Sequence, residues 1–182
     1  MELKTKRLVL RQIKESDAKS ILENVNNLNV TKWLLVVPYP YKLKDAKFWI
    51  NQCKEETTKK PRKEYNFGIE LKEEKRIIGG IGLSSVNKEQ GKSSLGYWLG
   101  ENYWRQGYGS EALEQLIDLA FNKLKLRRLE ANVFAGNPSS GKLLEKFGFK
   151  QEGYKRKAAV CKADGKIKDE ISYALLREEY KR

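Results

Sequence analysis

The stretch Tyr97-Trp98-Leu99-Gly100-Glu101-Asn102-Tyr103-Trp104-Arg105-Gln106-Gly107-Tyr108-Gly109-Ser110 runs from a strand straight into a helix, and that junction decides the fold. Ser93 to Leu99 reads as a strand. After Ser110, the residues Ala112, Leu113, Leu116, Ile117, Ala120, Phe121 and Leu124 form the apolar stripe of a helix that buries one face. Arg128 to Phe134 then alternates, with Leu129, Ala131 and Val133 on one face and Glu130, Asn132 and Phe134 on the other. Strand, glycine bend, helix and strand make one βαβ crossover. Gly107 and Gly109 carry no Cβ, so several N–H groups can turn into one concavity at the positive end of the helix dipole. A phosphate suits such a place. By itself, a Gly-x-Gly before a helix is a weak signal and more often just a tight turn. It lacks the third glycine of a dinucleotide fingerprint and the Gly-Lys-Ser/Thr of a P-loop, so neither reading stands.

On the N-terminal side, alternation over Leu3 to Ile13 predicts a first strand, and Ser16 with Asp17 caps a short helix reaching about Asn26. Trp33 to Tyr41 is apolar, aromatic and broken by Pro38 and Pro40, which predicts an irregular segment that packs or serves as a lid. Lys44 to Lys60 has helical spacing until Pro61 ends it. Tyr65 to Leu71 and Arg76 to Ser85 are strands joined by the charged turn Lys72 to Lys75. On the C-terminal side, Asn137, Pro138 and Gly148 supply the cap, first turn and left-handed stop of a further helix. Gly153 to Cys161 and Lys168 to Leu176 flank Ala163-Asp164-Gly165-Lys166, a hairpin signal. The expectation is one α/β domain over residues 1–182, a mixed, mostly antiparallel sheet of six to seven strands flanked by about four helices.

Composition narrows the chemistry. At 182 residues and 21.1 kDa the chain suits one domain. It has no histidine, which removes a Ser-His-Asp triad and any imidazole base. With only two cysteines as well, the common zinc sites drop out and no metal is expected. Cys53 and Cys161 are too few and too far apart in sequence to be a disulfide framework, and no basic-then-apolar leader opens the chain, so the cytoplasm is the expected compartment. No apolar run approaches the roughly 18 residues of a membrane span. The net charge is +13, from 37 basic and 24 acidic residues, yet 40% of residues are hydrophobic, too many for a disordered polyelectrolyte. The 27 Lys and 10 Arg are spread among 19 Glu rather than blocked, the pattern of a solvated surface, and no nucleic-acid reading motif accompanies them.

Trp104-Arg105-Gln106-Gly107-Tyr108-Gly109 resembles the pyrophosphate loop of the GNAT N-acetyltransferases, whose pattern is Gln/Arg-x-x-Gly-x-Gly/Ala, with Trp104 departing at the first position. Arg7 to Arg11, Ile78-Gly79-Gly80-Ile81-Gly82, Asn137-Pro138-Ser139-Ser140 and Leu144 to Phe149 are similar, in order and spacing, to the branch containing the ribosomal-protein-alanine N-acetyltransferases. The resemblance covers nearly the whole chain. It implies a sheet splayed at its central strands, acetyl-coenzyme A as donor, and a primary amine as acceptor. It also implies that backbone groups of Tyr97, Trp98 and Leu99 pair with the pantetheine arm. N–H groups from Arg105, Gln106, Gly107, Tyr108, Gly109 and Ser110 would hold the pyrophosphate, and Asn137 would contact the cofactor arm or simply cap its helix.

Amine attack on a thioester needs a neutral nitrogen, a hydrogen bond on the thioester oxygen and a proton for the departing thiolate. Some family members carry a glutamate where this chain has Ser94, and some a tyrosine where it has Leu144. In the ribosomal branch a serine takes the acid's place, and Asn137-x-x-Ser140 fits, making Ser140 the candidate acid. Glu130 is the candidate base through water, with Tyr103, Tyr108 and Tyr154 as further proton carriers. Three functions stand open: acetylation of a protein N-terminal α-amine near the ribosome, acetylation of a polyamine or aminoglycoside, and a non-catalytic basic module that binds RNA or the ribosome. No membrane partner is expected, and the chain is read as a monomer or homodimer.

Overall fold

The computed structural model describes residues 1–180; the last two residues of the expected 1–182 domain lie outside the described residues. Its strands are β1 (Leu3–Lys4), β2 (Leu8–Arg11), β3 (Tyr65–Leu71), β4 (Arg76–Asn87), β5 (Lys92–Leu99), β6 (Arg128–Phe134), β7 (Lys150–Val160) and β8 (Ile167–Leu176). Its α-helices are α1 (Ala18–Val25), α2 (Leu28–Thr31), α3 (Leu43–Thr58), α4 (Tyr108–Asp118) and α5 (Pro138–Lys146). The strands form one sheet in the order β1-β2-β3-β4-β5-β6-β8-β7. The α4 crossover makes β5 and β6 parallel, as the junction in the sequence requires, and the other neighbours are antiparallel.

Among the described residues the eight strands exceed the six to seven expected, because the N-terminal run is two strands rather than one. Alternation alone reads Leu3 to Ile13 as continuous, but the chain turns at Thr5 and Arg7, where both residues bind Glu111 of α4. The α-helices among the described residues number five rather than about four, since Leu28–Thr31 closes one α-helical turn capped by Asn27, whose side chain accepts from the Asn29 N–H. Asp17 is not an exposed cap. It is buried and holds the Arg11 guanidinium bidentately at 2.7 and 2.9 Å.

Two apolar layers cover the sheet. On one face Ala112, Leu113, Leu116, Ile117 and Phe121, from α4 and the π-helical turn after it, pack with Leu144 of α5 and with Leu129, Ala131 and Val133 of β6. On the other, Ile21 and Val25 of α1 meet Ala46, Ile50 and Cys53 of α3 over Ile77. Burying each large aliphatic side chain contributes roughly 1.5–3 kcal/mol, so the α4 stripe carries much of the stability of this face. Gly80 lets Trp98 lie across β4: a Cβ there would sit 2.6 Å from the indole nitrogen.

Glu111 ties the N-terminal turn to the first turn of α4. Its carboxylate accepts from the Thr5 hydroxyl, the Arg7 N–H at 2.7 Å and Arg7 Nε at 2.7 Å. Burial pushes its pKa up, but these bonds to the charged form outweigh burial and hold it below the usual carboxylate range. A carboxylate depressed in the folded state contributes stability that is present above its ordinary pKa and lost as pH falls through the folded value. Glu111→Gln is expected to lower the unfolding free energy by about 2 kcal/mol at neutral pH. The difference from the natural chain should begin to shrink as pH falls below about 4.3 and close only beneath the lowered folded value; urea unfolding across that range checks it.

Candidate functional site

β5 and β6 run together only briefly. Their register pairs are Lys92 with Arg128, Ser93 with Leu129 and Ser94 with Glu130, and beyond them the strands part. β5 continues against β4 as far as Leu99 with Gly79, while β6 continues against β8 as far as Phe134 with Glu170. A V-shaped opening follows, and one edge of β5 lies bare along it.

Alternation in an antiparallel ladder settles which backbone groups face that edge. The Gly100 N–H donates to the Ile78 carbonyl across β4 at 2.9 Å, so Trp98, two residues earlier, also turns its N–H and C=O toward β4. Tyr97 and Leu99 turn theirs to the opening. Trp98 therefore departs from the expectation that its backbone is free. Its indole packs instead on the α1 and α3 side, 6.3 Å from Trp49. The Leu99 carbonyl accepts from Trp104 Nε1 at 2.8 Å, leaving the Leu99 N–H and both backbone groups of Tyr97 without a strand partner among the described residues. This bond also explains the departure at the first loop position: the indole donates from loop to strand end.

The loop after β5 is tightly bent. Arg105 has φ +61° and Gly107 +83°, both left-handed, and α4 starts at Tyr108, two residues before the expected Ser110. The N–H groups from Arg105 to Ser110 have no acceptor among the described residues, and those of Tyr108, Gly109 and Ser110 lie in the unsatisfied first turn of α4. A Cβ on Gly109 would meet Leu143 at 3.3 Å, so the backbone reaches closer to α5 than a larger residue allows. Gln106 donates to the Asn102 carbonyl at 2.8 Å.

Two cations that sequence reasoning missed stand at the loop. Arg7 bonds the Gln106 carbonyl at 2.9 Å and lies 4.3 Å over the Tyr108 ring. Lys146 of α5 reaches the Ser110 hydroxyl at 3.3 Å. Each is roughly 35 to 100 residues from its partner, and no local spacing announces such contacts.

α5 closes the wide end of the V. Asn137 caps it by accepting from the Ser140 N–H at 3.3 Å. The Ser140 hydroxyl lies 2.8 Å from the Tyr97 hydroxyl, joining two residues assigned separate tasks from the sequence. Burial pushes the Tyr97 phenol up to about 12 against the smaller opposing effect of the Ser140 bond, so it stays protonated at neutral pH. Leu144, where some family members have a tyrosine, is fully buried.

Glu130 sits where the strands part, on the face opposite α4 and α5, and its carboxylate accepts from Arg128 Nε at 2.8 Å. Arg128 also grips Glu152. No hydrogen bond joins Glu130 to Ser140 among the described residues. The other tyrosines are engaged elsewhere: Tyr103 donates to Glu74 at 2.7 Å, Tyr154 donates to Asp169 at 2.6 Å, and Tyr108 is buried beneath Arg7.

A parted parallel strand pair beside a loop of free N–H groups leaves a sheet edge and a donor-lined bend open to an extended, anion-bearing chain. Residues 7–150 match the acetyltransferase (GNAT) domain model, and the chain belongs to that family. An uncharacterized N-acetyltransferase p20 of Bacillus licheniformis is 34% identical over 180 residues, covering 98% of this chain and 97% of that protein. The ribosomal protein uS5-alanine N-acetyltransferase of Escherichia coli is 31% identical over 117 residues, covering 64% of this chain and 59% of that protein. The solved ribosomal-protein-S5-alanine acetyltransferase of Vibrio fischeri has the same fold, with TM-score 0.84 at 24% identity and all of both chains covered. The chain is thus an acetyl-coenzyme A-dependent N-acetyltransferase, and the bare β5 edge and open N–H groups fit that co-substrate.

Valine at Gly107 places a branched side chain at a left-handed position, with its Cβ 3.2 Å from Arg7. Left-handed backbone costs a non-glycine residue about 1–2 kcal/mol, less than a domain's stability. Gly107→Val is therefore expected to stay folded by circular dichroism and to weaken coenzyme A binding more than about tenfold by calorimetry. An unchanged dissociation constant removes the loop from this role.

Proposed function

We propose that this enzyme acetylates the α-amine of a protein N-terminus, a ribosomal protein being the first candidate, by direct attack within a ternary complex. The observation that carries the reading is the modest equipment of the opening: a hydroxyl pair, one ion-paired carboxylate and no histidine. An α-amine of pKa about 8 is roughly a tenth neutral at pH 7, whereas a lysine amine near 10.4 is neutral to about one part in 2,500. Little base strength is needed for the first and much for the second. The name of the Escherichia coli relative supports the same acceptor class.

Acetyl-coenzyme A supplies the acyl thioester, and the chain's own groups orient it. The Tyr97 backbone and the Leu99 N–H add the pantetheine arm to the sheet edge, with Trp98 fixing the strand against β4 from behind. The N–H groups of Arg105 to Ser110 hold the diphosphate, and Arg105, Arg7 and Lys146 supply positive charge around it. The Asn137 side-chain oxygen caps α5, and its NH2 group, with no acceptor among the described residues, is left to contact the arm from the head of that helix. Ser140 donates the proton that the leaving sulfur needs, and the protonated Tyr97 phenol restores it along their 2.8 Å contact.

Glu130 receives the acceptor's proton through water. The place where other family members carry a glutamate is Ser94 here, and the strand register sets Glu130 directly beside it. A carboxylate is thereby returned to the apex of the V from the neighbouring strand.

Thiol release by the purified protein with acetyl-coenzyme A and a panel of N-terminal peptides, polyamines and aminoglycosides tests the acceptor class. Turnover of the small amines with none of the peptides would overturn the reading. Ser140→Ala is expected to lower kcat by about 100-fold with coenzyme A binding unchanged. Because the α-amine is already a tenth neutral, Glu130→Gln should cost no more than about tenfold at pH 7, and the loss should vanish above about pH 9. A loss that persists at high pH would give Glu130 a different task.

A further inference from the structure

Lys168 of β8 is an ammonium withdrawn from water into a place made by three separate parts of the chain. Its side chain is 14% exposed. It lies 3.1 Å from the Asp164 carboxylate, donates to the Lys32 carbonyl, and sits 5.4 Å from the Trp33 ring and 5.1 Å from the Phe134 ring. A buried ammonium is costly unless carboxylate, carbonyl and ring faces replace its water, and here all three kinds do so.

Around it the β7–β8 turn grips the segment after α2. The Lys162 N–H donates to the Leu35 carbonyl at 3.1 Å. The buried Cys161 sulfur lies 3.6 Å from the Lys32 carbonyl and 3.7 Å from that of Leu34. Residues 31–35 and the 160s are far apart in sequence and lack a shared strand, so these contacts fix one against the other. Phe134 ends β6, and a Cβ on Gly136 would lie 3.9 Å from Trp33, so the clasp reaches the chain just ahead of Asn137. That is the rim of the V away from the loop of residues 105–110.

The geometry points to Lys168 as a positioning residue for the acceptor: it holds Trp33 at the Phe134 to Asn137 rim and so sets the wall against which the amine docks. This rests on the acetyl-transfer reading above. It predicts a larger effect on the acceptor than on coenzyme A, because the clasp meets the coenzyme A groups only where the Asn137 N–H donates to the Phe134 carbonyl at 3.1 Å, a backbone contact that the Lys168 side chain does not make.

The test compares the natural chain with Lys168→Met and Lys168→Arg, using whichever amine of the panel the natural chain turns over. Lys168→Met is expected to raise the acceptor KM about tenfold, to leave coenzyme A affinity within about twofold, and to quicken amide hydrogen exchange of residues 31–36 about tenfold. Lys168→Arg keeps a cation that reaches Asp164 and stacks on both rings, and should restore all three values to within about threefold. Faster exchange with an unchanged acceptor KM would overturn the proposal, as would equal losses for both substrates or no recovery in the arginine variant. Should Lys168→Met fail to fold, Asp164→Asn beside Lys168→Arg gives the same comparison. If only small amines are turned over, the peptide assignment falls while the clasp is still judged by the KM for those amines; if no amine is turned over, both fall.

Discussion

The parting of β5 from β6 after Ser94 and Glu130 is the constraint on which the rest of this molecule depends. Two parallel strands that stayed paired would satisfy each other's backbone and leave nothing for a ligand to join. Here β4 claims one strand and β8 the other, and the two halves of the sheet diverge with their helices. The exposed N–H and C=O groups of Tyr97 and the Leu99 N–H would be a liability on an ordinary edge. Placed in a recess between two layers, they are the surface proposed to take an extended, amide-bearing arm.

Particular contacts brace each side of the V. On the β5 side, Glu111 gathers Thr5 and Arg7, Arg7 braces the Gln106 carbonyl and Tyr108, and Trp104 stitches the loop to Leu99. On the β6 side, α5 is seated on β8, with Gly141 so close to Tyr173 that a Cβ would lie 2.8 Å from its hydroxyl. The Tyr97 and Ser140 hydroxyls join the two sides at one point. That contact ties the splay to the proposed chemistry: the serine that closes the gap is the one proposed to deliver a proton. The charge of +13 plays a smaller part, since much of it is spread among glutamates, and the cations at the loop are a few particular residues.

Much of this was legible before any tertiary contact was known. The apolar stripe of α4, the Asn137-Pro138 start and Gly148 stop of α5, and the Asp164-Gly165 turn are local signals, and the structure places elements at each. The parallel crossover followed from a strand, a bend and a helix in succession. Other features depended on distant partners. The Leu3 to Ile13 run breaks in two because Glu111, about a hundred residues away, binds its middle. Arg7 and Lys146 read as ordinary surface cations until the fold brings them to the loop, and Trp98 reads as an open-edge residue until the β4 register turns its backbone away.

The sequence by itself determined the class of fold, the position of the glycine bend and, by lacking histidine, the small set of groups available to move a proton. These rest on local propensity and composition, which a chain carries whatever its partners. Only the tertiary structure decided which backbone groups of β5 face the opening, that Tyr97 and Ser140 meet, and that Lys168 unites the segment after α2 with the last hairpin. Those are matters of register and of contact between residues far apart in the chain. They are fixed when apolar layers pack and buried charges find partners, events that no short stretch of sequence encodes alone.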